Sequence, residues 1–170
     1  MLGAVVALSG CGAGSSAPPS TSLAPQGPPR IPSLGDEAQV ARVTDGDTIR
    51  VRLVGADETS VRLIGVDTPE RARPNTPVEC FAEEAARYLA GLLPVGERVR
   101  LVYDVEHTDR YGRTLAYVYR LSDGLFVNLA LALAGYAEVL TVPPNVAHAE
   151  QFRAAAAEAR DARRGLWAAC

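Results

Sequence analysis

Apolar and charged residues alternate through 48–54, where Ile49, Val51 and Leu53 interleave with Arg50 and Arg52. A period of two sends one set of side chains to each face of a strand. Residues 40–44 and 60–66 are strand-like on either side, and Gly55-Ala56-Asp57-Glu58 reads as a turn. The spacing predicts a meander of three antiparallel strands. Residues 98–106 alternate again, with Val99, Leu101, Tyr103 and Val105 on one side, and 114–121 form a partner strand across the link 107–113.

Three stretches carry helical patterns instead. Residues 79–93 begin with acids, which suit the positive end of a helix, carry Phe81, Ala85, Tyr88, Leu89 and Leu92, and stop at Pro94. Residues 125–134 end at Gly135. Residues 147–164 are Ala-rich, end at Gly165, and need Phe152, Leu166 and Trp167 as anchors for a thin apolar stripe. Five strands with a helix between the third and fourth predict a mainly β fold: an OB-type five-stranded barrel with three helices packed outside.

The 170 residues suit one domain with a modest core. Residues 12–35 are dominated by Gly, Ala, Ser and Pro and read as a flexible tether, so the folded domain is expected over 36–170. Residues 1–11 are small or apolar and end at Cys11; they are too few to span a bilayer. Leu8-Ser9-Gly10-Cys11 resembles the box at which bacterial lipoproteins are cleaved and lipidated. That implies export and a lipid on Cys11, which would hold the domain at the outer face of a membrane. If Cys11 is lipidated, Cys80 and Cys170 are left. They either form a disulfide closing a loop of about 90 residues, worth roughly 4–5 kcal/mol in chain entropy, or are two unpaired thiols. Two histidines and this cysteine spacing do not suit a zinc site.

All seventeen basic residues are arginine, and the formal net charge is −3. That balance argues against a protein that coats nucleic acid with an overall basic surface, while leaving room for a local arginine pocket. Two acidic turns stand out: Asp45-Gly46-Asp47-Thr48 and Val66-Asp67-Thr68-Pro69-Glu70, with Arg62 between them in sequence. Each turn alone is an ordinary place for carboxylates that bond nearby backbone. Adjacent strands can bring the two together. Calcium takes oxygen ligands at about 2.3–2.6 Å in irregular geometry, and Asp47, Asp67 and the Thr68 carbonyl offer such oxygens; on chemistry alone magnesium is open as well, and there is no EF-hand loop. Arg62 and Arg113 can clamp one phosphate from two sides, and Arg110 and Tyr111 can hold a second. Carboxylates for a hard cation beside arginines for a phosphate point to phosphodiester hydrolysis.

Three segments, Val43-Thr44-Asp45-Gly46-Asp47-Thr48, Val61-Arg62-Leu63-Ile64-Gly65-Val66-Asp67-Thr68-Pro69-Glu70 and Thr108-Asp109-Arg110-Tyr111-Gly112-Arg113-Thr114-Leu115-Ala116-Tyr117-Val118, together resemble the staphylococcal (micrococcal) nuclease family, the thermonucleases. Val127-Asn128-Leu129-Ala130-Leu131, Gly135-Tyr136-Ala137 and Gly165-Leu166-Trp167 extend the resemblance over about residues 38–168. It implies an OB-type barrel and calcium-dependent cleavage of DNA and RNA that leaves 3′-phosphate ends. It implies Asp47 and Asp67 as calcium carboxylates, Thr68 as a carbonyl ligand and Asp45 close behind them. Arg62 and Arg113 would bind the scissile phosphate, Glu70 would orient or deprotonate the attacking water, and Arg110 and Tyr111 would hold a nucleotide phosphate. Two tyrosines that cover the bound base in the family's best-known form have no counterpart in 138–142, which implies weaker substrate binding. His107, His148 and Trp167 have no part in this chemistry, and a monomer is expected. The competing readings are a catalytically weak nucleic-acid-binding domain of the same fold and a calcium-binding surface lipoprotein without hydrolysis.

Overall fold

The computed structural model describes residues 31–72 and 77–170; Cys11 and most of the Pro-rich stretch lie outside them. Strand β1 (Asp36–Asp45) pairs antiparallel with β2 (Thr48–Leu53), and β2 pairs antiparallel with β3 (Glu58–Leu63). After helix α1 (Ala82–Leu92), β5 (Arg98–Val102) pairs with β1 and with β6 (Thr114–Arg120). A parallel pairing of β3 with β6 closes the five-stranded barrel in the order β1-β2-β3-β6-β5. The barrel interior is filled by the apolar half of each alternation, including Val40, Ile49, Val51, Val61, Leu63, Val99, Leu101 and Val118. Helices α2 (Val127–Leu133) and α3 (Ala149–Asp161) pack outside with α1, and a single turn, α4 (Leu166–Ala169), ends the chain. This is the OB-type barrel with external helices that the pattern predicts. No helix among the described residues is long and apolar enough to cross a membrane.

Strand β1 begins at Asp36 rather than Val40 and β3 at Glu58 rather than Ser60, and four further departures from the simple pattern have visible causes. The run 60–66 is not one strand. It breaks after Leu63, and β4 (Gly65–Asp67) turns to pair antiparallel with β7 (Glu138–Leu140). Gly65 makes the break possible: its φ is +85°, and a Cβ there would stand 2.1 Å from the Phe152 ring. Strand β5 stops at Val102, leaving Val105 exposed, because the amide of Val105 is taken by the Asp104 side chain at 3.0 Å. Helix α1 begins at Ala82 rather than Glu79. Glu79 is bonded to the backbone of Glu70, Cys80 is in a disulfide with Cys170 (Cα–Cα 6.1 Å), and Phe81 has a left-handed φ of 71°. Finally, the chain meets the barrel before Asp36: Ile31 packs against the core, and Arg100 donates to the Ser33 carbonyl at 2.9 Å.

One buried polar residue holds the closing seam. Asn128, on α2, accepts from the Val118 amide at 2.9 Å and donates to the carbonyls of Ile64 at 2.8 Å and Ala116 at 3.3 Å. The only parallel pairing in the barrel is therefore bonded to a helix as well as to itself.

Candidate active site

The turn between β1 and β2 carries Asp47 against the end of β3. Its carbonyl accepts from the Leu63 amide at 2.9 Å. Its carboxylate is buried and takes three donors: Thr48 Oγ1 at 2.9 Å, the Thr68 amide at 3.0 Å and Arg62 Nη1 at 2.9 Å. The two acidic turns are thus joined through one side chain. Gly46 permits the approach. A Cβ there would lie 2.6 Å from Thr68 Oγ1 and 2.8 Å from Ala85 Cβ on α1, so the helix and the second turn both press on this residue.

Arg62 stands opposite Thr48 in the β2–β3 register. Its guanidinium fork donates through Nη1 to the Val66 carbonyl at 2.7 Å and the Leu63 carbonyl at 3.2 Å, and through Nη2 to Asp67 Oδ1 at 2.5 Å. Asp67 is half-exposed at the end of β4, directly opposite Glu138 of β7. Burial raises its pKa above the usual carboxylate value, Arg62 pulls it down, and Asp47 and Glu138 push it up further. Two carboxylates on one arginine leave an excess of negative charge, which a cation would relieve.

Asp45, at the end of β1, is buried, and its Oδ1 accepts from the Gly46 amide at 3.0 Å. Glu70 follows the second turn. Its amide donates to Glu79 Oε2 at 2.8 Å, its carbonyl accepts from the Glu79 amide at 3.0 Å, and one of its carboxylate oxygens is buried. Arg71, next in the chain, grips Glu83 of α1 with two bonds of 2.9 Å.

The second arginine comes from the β5–β6 connection. Asp109 Oδ1 accepts the amides of Tyr111 and Arg113, each at 2.9 Å, and its Oδ2 accepts Arg113 Nε at 2.7 Å. Burial raises the Asp109 pKa, but the bonds from Arg113 and Tyr111 outweigh it and hold the carboxyl below its ordinary value. Arg110 lies 4.8 Å over the exposed Tyr111 ring and donates to its hydroxyl at 2.6 Å, while Arg113 lies 5.5 Å from the same ring.

Arg62, Arg110, Tyr111 and Arg113 all line one cleft of about 430 Å³. Its other walls include Leu140 and Val142 from the β7 segment and Asn145. Asp47, Asp67, Thr68 and Glu70 are not on its lining; Asp47 and Asp67 reach it through Arg62, which binds both. Among the described residues, no group of three or more His, Cys, Asp or Glu side chains gathers to hold a metal ion. The oxygen set present is two carboxylates, Asp47 and Asp67, beside Thr68, whose buried Oγ1 has no hydrogen-bond partner among the described residues. An oxygen-only set with excess negative charge suits a hard cation that fills its remaining positions with water or substrate.

Sequence reasoning did not single out three contributors. Asn128 and Asn145 are buried polar residues: Asn145 accepts from the Glu106 amide and donates to its carbonyl, each at 2.8 Å, fixing the chain that enters the arginine loop. A polar residue inside the apolar run Val127–Leu133 was the available signal for Asn128. Glu138 carries no such signal, because only the β4–β7 pairing sets it beside Asp67.

Comparison with known proteins places the chain in a family. The family described as staphylococcal nuclease homologue matches residues 60–169. A thermonuclease of Staphylococcus intermedius is 45% identical over 133 residues, covering 78% of this chain and 77% of that protein. A thermonuclease of Staphylococcus hyicus is 42% identical over 129 residues, covering 76% and 74%. Endonuclease YncB of Bacillus subtilis (strain 168) is 39% identical over 128 residues, covering 74% of this chain and 59% of its own length. With a matching fold, a matched family and relatives this similar over most of its length, the chain belongs to the staphylococcal nuclease family.

Proposed function

We propose that this protein is an exported, calcium-dependent nuclease that hydrolyses phosphodiester bonds of DNA and RNA and leaves 3′-phosphate ends. The observation that carries the reading is the double engagement of Arg62, which lines the cleft shared with Arg113 while binding both Asp47 and Asp67. Acids for a cation and arginines for a phosphate therefore meet at one side chain.

In this reading Asp47, Asp67 and Thr68 hold Ca²⁺, with Asp45 behind them. The bound ion would neutralise charge on a phosphoryl oxygen. Arg62 and Arg113 bind the scissile phosphate and oppose the charge that grows on its equatorial oxygens. Glu70 orients a water and takes its proton as the water oxygen bonds to phosphorus. The bond from phosphorus to the 5′ oxygen breaks, the 5′ oxygen leaves and takes a proton from solvent water, and the phosphate stays on the 3′ side while Glu70 returns its proton to solvent. Arg110 and Tyr111, already bonded to each other, hold a neighbouring phosphate. The aliphatic Leu140 and Val142 stand on the cleft wall without an aromatic face for a base, which weakens capture. Export rests on the lipobox-like residues ending at Cys11, which would be the site of lipid attachment; mass spectrometry of the mature N-terminus tests it.

The decisive experiment is digestion of single-stranded DNA, duplex DNA and RNA in calcium, magnesium or chelator, with end-group mapping of the products. Cleavage that needs calcium and yields 3′-phosphates is expected. Folded protein that binds these substrates and cuts none of them would instead be a binding domain of the same fold.

A further inference from the structure

Strand alternation carries a second set of arginines away from the cleft. Val61 and Leu63 point into the barrel, so Arg62, Ser60 and Glu58 share the outer face of β3. Ile49 and Val51 point inward on β2, which puts Arg50 and Arg52 outside; the register sets Thr48 opposite Arg62, Arg50 opposite Ser60 and Arg52 opposite Glu58. On the next strands, Arg42 lies opposite Arg50, and Gln39 lies between Arg52 and Arg98. The outer wall of β3, β2, β1 and β5 is therefore continuous with the arginine of the cleft.

The charges on this wall do not cancel. Glu58 alone serves three guanidiniums: Arg42 at 2.8 Å, Arg50 at 2.9 Å and Arg52 at 3.9 Å. Glu37 serves both Arg98, at 2.6 Å, and Arg100. Arg100 is also turned to the Ser33 carbonyl, and Asp36 is engaged by the Tyr103 hydroxyl at 2.6 Å. Asp57 sits beyond the row in the β2–β3 turn. What faces solvent is Arg42, Arg52 and Arg98, with side chains 58%, 60% and 70% exposed. In a chain of net charge −3, this is a local excess of cations fixed by strand register.

We propose that this wall is an extended track for the backbone of a single nucleic-acid strand, running from Arg62 past Arg50 and Arg42 to Arg52 and Arg98. The identity of the strand as the one being cut rests on the nuclease reading above. Outward side chains recur about every 6.5–7 Å along a strand, as Arg50 and Arg52 do, and neighbouring strands lie about 4.8 Å apart, so an extended polyanion crossing the barrel meets one cation after another. Glu58 gathers Arg42, Arg50 and Arg52 around one carboxylate, so the three guanidiniums share a single counter-charge and a phosphate on Arg42 or Arg52 meets uncompensated positive charge. Continuity with the cleft favours a strand threaded from the site over an anionic membrane, which would meet this wall without engaging Arg62.

The test is the variant Arg42→Ser/Arg52→Ser/Arg98→Ser, which leaves every residue of the proposed site intact. Binding of three- and thirty-residue single strands is measured in chelator, so that no cleavage occurs, across a salt series. The long strand is expected to bind about 10- to 100-fold more weakly near 0.1 M salt, with the slope of log K against log salt shallower by about 2, since each lost contact removes about 0.7. The short strand binds unchanged, and the matching triple lysine variant restores the slope. With calcium, KM for the long strand rises while kcat and all parameters for the short strand stay put. An unchanged slope for the long strand overturns the track. So does loss of binding to vesicles of anionic phospholipid with strand binding intact. If neither protein cuts anything in calcium while the slopes still differ, the nuclease reading fails and the track stands.

Discussion

Arg62 and Arg113 open onto the same cleft but are held by different kinds of structure. The Arg62 side chain is 11% exposed, and its partners come from the β1–β2 turn, the end of β3 and two residues of β4, Val66 and Asp67. The Arg113 side chain is 30% exposed, and its partner, Asp109, lies four residues away in the same loop. The first arginine is built into the tertiary structure. The second is organised by a local turn in which one carboxylate collects two amides and a guanidinium. A group of the first kind serves fold and chemistry together; a group of the second kind can be removed with the fold left standing.

Replacing each arginine with alanine separates these roles and carries the largest effects. Arg62→Ala leaves the Asp47 carboxylate buried without its counter-ion, and truncating one partner of such a pair costs about 3–5 kcal/mol. Arg113→Ala breaks a partly exposed pair worth under about 1 kcal/mol. Both are expected to lower kcat by about 10²–10³, the effect of removing one donor to developing charge. Denaturant unfolding without added metal, beside steady-state kinetics, reads both quantities. Equal stability losses would break the comparison. An Arg113→Ala protein that loses substrate affinity as steeply as turnover would not be stabilising a transition state.

Gly46→Ala sharpens the account of the first region with a smaller effect. The new methyl would meet Thr68 and Ala85 at distances real Cβ atoms do not adopt, so α1 or the Asp67–Thr68 turn must move. Overpacking of this kind costs about 1–3 kcal/mol. Because the displaced residues flank Asp47 and Thr68, calcium titration of the folded variant should also show weaker binding. A variant of unchanged melting temperature and calcium affinity would mean that helix and turn do not bear on the site.

The same contrast explains what the sequence made legible. Alternation at Ile49 and Val51, or at Val99 and Leu101, reports directly on which side chains enter the barrel, and all four are fully buried. The pattern places the link 107–113 between its two strands but assigns no role to the Asp109 side chain that organises it. What else the pattern concealed depends on distant partners. Val105 continues the apolar alternation, yet the strand has ended: the Val105 amide goes to Asp104, and Asn145 takes the backbone groups of Glu106 that follow. The break at Gly65 depends on Phe152, far along the chain. The Cys80–Cys170 pairing, offered by the sequence as one of two alternatives, is present across a separation of 90 residues. Residue types thus nominated the site, whereas the way Arg62 joins two acidic turns appears only once β3 and β4 part.

The smallest effect tests the loop's independence through its carboxylate. Asp109 is held below its ordinary pKa by donors within four residues, so its folded value lies below the unfolded one of about 3.9. A carboxylate shifted in this direction contributes stability that is fully present above the unfolded value and is lost as pH falls through the folded one. Asp109→Asn keeps the shape and removes the titration. The variant should therefore lose less stability than the parent as pH drops from about 5 to about 2, by an amount of about 1 kcal/mol for a partly exposed pair. Urea unfolding at a series of pH values measures it. The substitution should also leave the Asp47–Arg62 region untouched, so calcium affinity at neutral pH should not change. A fall in that affinity would show that the loop and the acidic turns are mechanically coupled, and Arg113 would then have to be treated as part of the same built-in structure as Arg62.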